Sequence, residues 1–143
     1  MPEWSEWLDT IYRLGAATLI GALMGVYLER RGKPIGVRML GLVALAAAVA
    51  VAAAEDDGGG ASRAIQGVIT GVGFIGAGVI IHVGRQREAV HGLSTAATIW
   101  FTASLGALCG VAEWPLLAVA LVFTILLLIA GRVIEKSAGL PDR

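Results

Sequence analysis

Five apolar stretches separated by short polar breaks account for most of the 143-residue chain. They cover residues 11–28, 37–54, 64–83, 93–111 and 115–133. Each approaches the roughly 20 residues that carry a helix across about 30 Å of hydrocarbon at about 1.5 Å per residue. The breaks are Glu29-Arg30-Arg31-Gly32-Lys33-Pro34, Glu55-Asp56-Asp57 followed by three glycines, Gly84-Arg85-Gln86-Arg87-Glu88, and Glu113-Trp114. Backbone groups in lipid must be satisfied within the segment, so apolar runs of this length are helices. A β-barrel would show short alternating strands, and no such alternation occurs. The pattern predicts an all-α integral membrane bundle of five transmembrane helices.

Composition agrees: 57% of residues are apolar and 15% charged, against about 45–50% and about 25% in soluble domains. Eleven basic residues balance eleven acidic ones, so no basic field exists to hold nucleic acid. A single cysteine, Cys109, excludes an intrachain disulfide framework and a multi-cysteine zinc site. The first ten residues carry Glu3, Glu6 and Asp9, the opposite of a basic leader. Trp4, Trp7, Leu8 and Ile11 recur at helical spacing. They predict an interfacial lead-in over residues 1–10, a frayed tail being the plainer alternative. A transmembrane domain over 11–134 and a cytoplasmic tail over 135–143 would follow.

Orientation comes from counting Lys and Arg by side. Arg30, Arg31, Lys33, Arg38, Arg85, Arg87, Arg132, Lys136 and Arg143 fall on one side, and Arg13 and Arg63 on the other. This bias predicts an outside N-terminus and a cytoplasmic C-terminus, with Trp4, Trp7, Tyr12 and Trp114 as an outer aromatic belt.

Helices in lipid associate by close packing of small residues. Three GxxxG steps occur, Gly21/Gly25, Gly67/Gly71 and Gly106/Gly110, and Gly73, Gly76 and Gly78 crowd the third run further. Glycine is a poor helix former, so this density has two readings: close helix contact, or a locally broken helix lining a cavity. The first, third and fourth helices are expected to form the packed centre, and the Leu/Val/Ala-rich second and Leu/Ile/Val-rich fifth to face lipid. A compact bundle or homodimer follows from the glycine-bearing faces.

Charge at mid-membrane is costly, so intramembrane ionisable groups mark function. No Asp or Glu lies inside the five runs. Arg13 is expected to snorkel to the interface, and His82 and His91 read as interface residues rather than ligands. The deep polar groups are Gln66 and Thr70 on the third helix and Ser94, Thr95, Thr98 and Thr102 on the fourth. Their hydroxyls either bond to the carbonyls four residues back or line a polar seam between the two helices. Mg²⁺ sheds water reluctantly and relies on carboxylates, so the chain makes a poor stand-alone pump; a pore of carbonyls or hydroxyls across an oligomer stays open. Glu55, Asp56 and Asp57 beyond the second helix suit either a weak divalent-cation site or a solvated glycine-rich turn, the plainer reading. On the inner face Glu29, beside Arg30, is placed to pair with Arg38 or with Arg85 and Arg87 as a charge clamp. The basic residues there already account for topology. Gly32, Pro34 and Gly36 predict a compact turn.

Gly21-Ala22-Leu23-Met24-Gly25 through Glu29-Arg30, then Lys33-Pro34-Ile35-Gly36-Val37-Arg38, resembles the first signature of the MgtC/SapB family of bacterial inner-membrane proteins. Gly71-Val72-Gly73-Phe74-Ile75-Gly76-Ala77-Gly78-Val79-Ile80 is similar to its central glycine-rich signature, and Val90-His91-Gly92-Leu93-Ser94-Thr95-Ala96-Ala97-Thr98-Ile99-Trp100 to its third. Arg63-Ala64-Ile65-Gln66 also fits, and the blocks stand in the expected order over about residues 15–110. The resemblance implies a five-helix membrane domain in the inner membrane, linked to magnesium limitation and, in pathogens, to survival inside host cells. It implies a regulator rather than a transporter, and in one branch an action through the membrane part of F-type ATP synthase. Departures are Asp56-Asp57-Gly58-Gly59-Gly60-Ala61-Ser62-Arg63 where relatives often have Asp-Pro-x-Arg, Ser94 in place of threonine, and an end soon after Ile134-Glu135-Lys136 where many members continue into a cytoplasmic domain. The expected function is a non-enzymatic membrane regulator without cofactor, working by helix contacts in the bilayer. The alternative is a small Mg²⁺ transporter or channel subunit using the seam. No nucleophile–base pair, metal cluster or phosphate loop speaks for an enzyme.

Overall fold

The computed structural model describes residues 4–33, 35–55, 58–83 and 92–137. Among these it holds five helices and no strand: α1 (Trp4–Arg30), α2 (Val37–Ala52), α3 (Gly60–Val83), α4 (Leu93–Gly110) and α5 (Trp114–Ser137). The chain divides into two compact units, Met1–Ala112 with α1 to α4 and Glu113–Arg143 with α5. Helices α1, α3, α4 and α5 are each long and apolar enough to cross a membrane. Helix α2 has only 16 residues and covers about 24 Å, whereas the 27 residues of α1 reach about 40 Å.

Helix α1 has no break at the expected boundary after residue 10. It runs unbroken from Trp4, and Thr10 and Thr18 donate to the carbonyls of Glu6 and Leu14. Its end is a Schellman turn: Lys33 N–H donates to Leu28 O at 3.1 Å and Gly32 N–H to Glu29 O at 3.0 Å. Gly32 supplies the left-handed residue at φ +67°, a conformation that costs glycine little. Ile35 is buried beyond the turn, and the chain re-enters as α2 behind Gly36.

Helix α2, expected to face lipid, is instead the centre of the first unit. Leu40, Gly41, Ala44, Ala47, Ala48 and Val51 are buried, and α2 packs against α1, α3 and α4. Apolar character cannot rank positions in lipid, where tails are as apolar as leucine; small size decides which face is approached. A Cβ placed on Gly21 of α1 would stand 2.8 Å from Ala44 Cβ and 2.9 Å from Gly41 Cα. One on Gly25 would stand 2.7 Å from Val37 N and 2.8 Å from Gly36 C. On α4, one on Gly106 would stand 2.8 Å from Ala44 Cα, and one on Gly110 2.8 Å from Ala48 O and 3.0 Å from Val51 Cβ. Ala44 is thus held between glycines of two helices.

Helix α3 is continuous through its glycines, so the broken-helix reading fails for the described residues. Close contact fits only one of the five: Gly76, whose added Cβ would touch Ala96 Cβ at 3.4 Å. A Cβ added at Gly67, Gly71, Gly73 or Gly78 would meet nothing within 4 Å, although Gly71 lines an apolar groove with Leu42, Val43, Ala46 and Ala47 of α2. Phe74, on the same side as Gly67, Gly71 and Gly78, is 86% exposed.

These contacts predict opposite responses to one methyl group. Gly106→Ala pushes against the Ala44 backbone, which cannot give, and should lower stability by about 1–3 kcal/mol. Gly67→Ala meets nothing and should leave it unchanged or raise it by up to about 1 kcal/mol through helix propensity. Thermal melting of the purified protein in detergent checks both.

Candidate functional site

A charged side chain, that of Arg13, is turned into the first unit. Arg13, near the middle of α1, leaves only 16% of its side chain exposed. Its Nε lies 2.6 Å from Asp9 Oδ2 one turn earlier, a contact of charge rather than an aligned hydrogen bond, since Nε lacks a well-directed acceptor. Its Nη1 donates to Glu55 Oε2 just beyond α2 and to the carbonyl of Gly110, the last residue of α4, at 2.9 Å. That carbonyl belongs to the electronegative end of a helix, where a cation is favoured. One guanidinium therefore ties α1, the turn after α2 and the C-terminus of α4.

Arg13, expected to snorkel to the interface, has protein acceptors within reach: Asp9, Glu55 and an orphan helix carbonyl hold its guanidinium against the first unit. Beside it opens a cleft of about 530 Å³ lined by Glu6, Asp9, Thr10, Arg13, Ala52 and Glu55, among others. Of the three acids proposed as cation ligands, Glu55 is taken up by Arg13, and Asp56 and Asp57 lie outside the described residues. Among the described residues no group of three or more His, Cys, Asp or Glu is placed to hold a metal ion.

The polar seam does not come together. Thr70 donates to Gln66 O at 2.8 Å, Thr98 to Ser94 O at 2.8 Å and Thr102 to Thr98 O at 2.7 Å. Each hydroxyl is thus satisfied on its own helix. Gln66 and Thr70 stand on the exposed side of α3, whereas Thr95 and Thr102 are buried on α4 beside Ile99, Ala103 and Gly106. Thr98 is half-buried and Ser94 exposed.

On the opposite end, no ion pair joins Glu29 to Arg38 among the described residues. Glu29 lies over Gly36, where an added Cβ would stand 3.1 Å from Oε2, and Arg30 is exposed. The Arg31 guanidinium stacks 5.2 Å from the Tyr27 ring centroid, a cation–π contact. Arg85, Arg87 and His91 lie outside the described residues, as does the side chain of His82.

The sequence profile of the MgtC family matches residues 14–137. The chain belongs to the MgtC family. It is 40% identical to protein SrpB of Synechococcus elongatus, covering 94% of this chain and 81% of SrpB. It is 38% identical to protein MgtC of Salmonella typhimurium over 90% of this chain and 53% of that protein. With protein SapB of Bacillus subtilis the identity is 36%, over 71% of this chain and 47% of SapB. This MgtC-family chain thus spans about half the length of the Salmonella and Bacillus relatives. No solved structure matches it. Its long apolar helices and family make it a multi-pass membrane protein.

Arg13→Met removes the charge and keeps the aliphatic stem. It strands the Gly110 carbonyl and sets Glu55 and Asp9 free, and should cost about 1–3 kcal/mol in detergent melting. Both carboxylates are half-exposed, so Glu55→Gln alone should cost no more than about 1 kcal/mol.

Proposed function

We infer that this MgtC-family chain is a non-enzymatic regulator in the bacterial inner membrane that adapts the cell to magnesium limitation, acting by helix contact with other membrane proteins. The family relationship supports the magnesium link and the inner-membrane setting. The helix-contact mechanism is supported by one observation: a Cβ added at Gly67, Gly71 or Gly78 on one side of α3 would meet nothing within 4 Å, while Gly21 and Gly25 of α1 and Gly106 and Gly110 of α4 are already engaged by α2. Glycine faces let helices approach closely in lipid, and this one is left for a partner, a second copy of the chain included. The basic residues at the α1–α2 turn support an outside N-terminus by the positive-inside rule.

Transport is the less favoured reading. The five apolar runs contain no carboxylate, and Thr70, Thr98 and Thr102 are bonded to their own helices, which leaves little to replace the hydration shell of Mg²⁺.

Two measurements test the proposal together. Proteoliposomes of the purified chain should take up Mg²⁺ no faster than empty vesicles, within about twofold; robust saturable uptake overturns the regulatory reading. Gly67→Leu with Gly78→Leu leaves Gly71, which shares a groove with α2, untouched, and should melt within about 1 kcal/mol of wild type, yet should lose support of growth in low magnesium. Full growth support by that double variant removes α3 as the contact surface.

A further inference from the structure

Arg13 also fixes the depth at which the helices end. Its guanidinium meets Glu55, three residues past α2, and the last carbonyl of α4. Helices α1 and α2 run antiparallel, with Gly25 beside Val37 and Gly21 beside Ala44. The same register sets Leu14 beside Ala52 on the cleft wall. Helix α3, antiparallel to α4 with Gly76 beside Ala96, starts near the level where α4 stops. Residues 4–12 of α1 therefore continue past the ends of α2, α3 and α4, by about 13 Å at 1.5 Å per residue.

This extension is divided lengthwise. Trp4, Trp7, Leu8, Ile11 and Tyr12 are 87%, 56%, 53%, 62% and 68% exposed, all on the side away from the cleft. Glu6 and Asp9 are on the cleft side with Arg13 and Glu55. The aromatic side is continuous along α1 with Leu19 and Leu23, 62% and 60% exposed, in the part of the helix that crosses the bilayer. The extension begins before the residues matched by the family profile.

We propose that this aromatic face seats in the headgroup–acyl boundary of one leaflet and sets the depth and tilt of α1, so that the Arg13 node stays at the edge of the hydrocarbon. Continuity with the lipid-facing side of α1 selects the occupant. Tryptophan and tyrosine present an apolar body and a polar tip, the combination that boundary accommodates. The headgroup layer is about 5–7 Å thick on each side, too thin for a 13 Å upright projection, so the aromatic face can seat only if α1 leans. Residues 4–12 contain no Lys or Arg and two acids, so the seating is apolar and independent of anionic lipid.

The test reads tryptophan depth in the full chain. The variant Trp100→Phe with Trp114→Phe leaves Trp4 and Trp7 as the only tryptophans and is reconstituted in phosphatidylcholine vesicles brominated either near the headgroup or near the chain ends. If that variant does not fold, the wild-type minus Trp4→Phe/Trp7→Phe difference spectrum supplies the same signal. The expected result is quenching at least twofold stronger by the shallow bromines, unchanged when a third of the lipid is anionic. Emission at the wavelength of water-exposed tryptophan, quenched by aqueous acrylamide and not by either bromolipid, overturns the proposal. So does insensitivity to both quenchers that varies with protein density, which would assign the face to a protein neighbour.

Discussion

The first unit depends on how closely three backbones can approach along α2. Ala44 meets Gly21 of α1 on one side and Gly106 of α4 on the other, at separations that leave no room for a single added carbon. Water does not drive this association, because both the packed and separated states are surrounded by apolar matter. What holds the helices is the sum of many short contacts between backbone atoms, each worth about 0.1–0.2 kcal/mol, and these accumulate only where side chains are absent or small. The alanines of α2 and the glycines of α1 and α4 form one device seen from two sides.

The polar chemistry follows the same economy. Threonine hydroxyls on α1, α3, α4 and α5 donate to carbonyls of their own helices, so they fit a greasy environment without needing a neighbour. Arg13 cannot be satisfied that way, having five donors and no acceptor. It is met by two carboxylates and the end of α4 at a single level, and the ends of the short helices become aligned there. Charge and packing act at different depths: small residues lock the interior, and one guanidinium fixes the rim.

Sequence pattern revealed the number of helices and most of their limits because each segment must satisfy its backbone alone in lipid, a constraint that acts without knowledge of the fold. It misplaced α2 because length and hydropathy report insertion and not packing. The clue was present in Gly41, Ala44, Ala48 and Val51, spaced three or four apart, but it lies within a run so rich in alanine that no face stands out. On α3 the glycine cluster marked a small face but carried no sign of which neighbour would meet it, and within the chain only Gly76 is closely approached, by Ala96. The Arg13 node was half visible: Asp9 and Arg13 are one turn apart, whereas Glu55 comes near only through the α1–α2 register, which depends on the glycine contacts themselves.

The brevity of α2 has a consequence for the surrounding lipid. A central helix about 24 Å long, flanked by polar ends, is shorter than a hydrocarbon layer of about 30 Å. The bilayer must draw in around the first unit or the long helices must slant, each at a cost of a fraction of a kcal/mol per ångström of mismatch. That mismatch is smallest where the membrane is thin and grows with acyl-chain length.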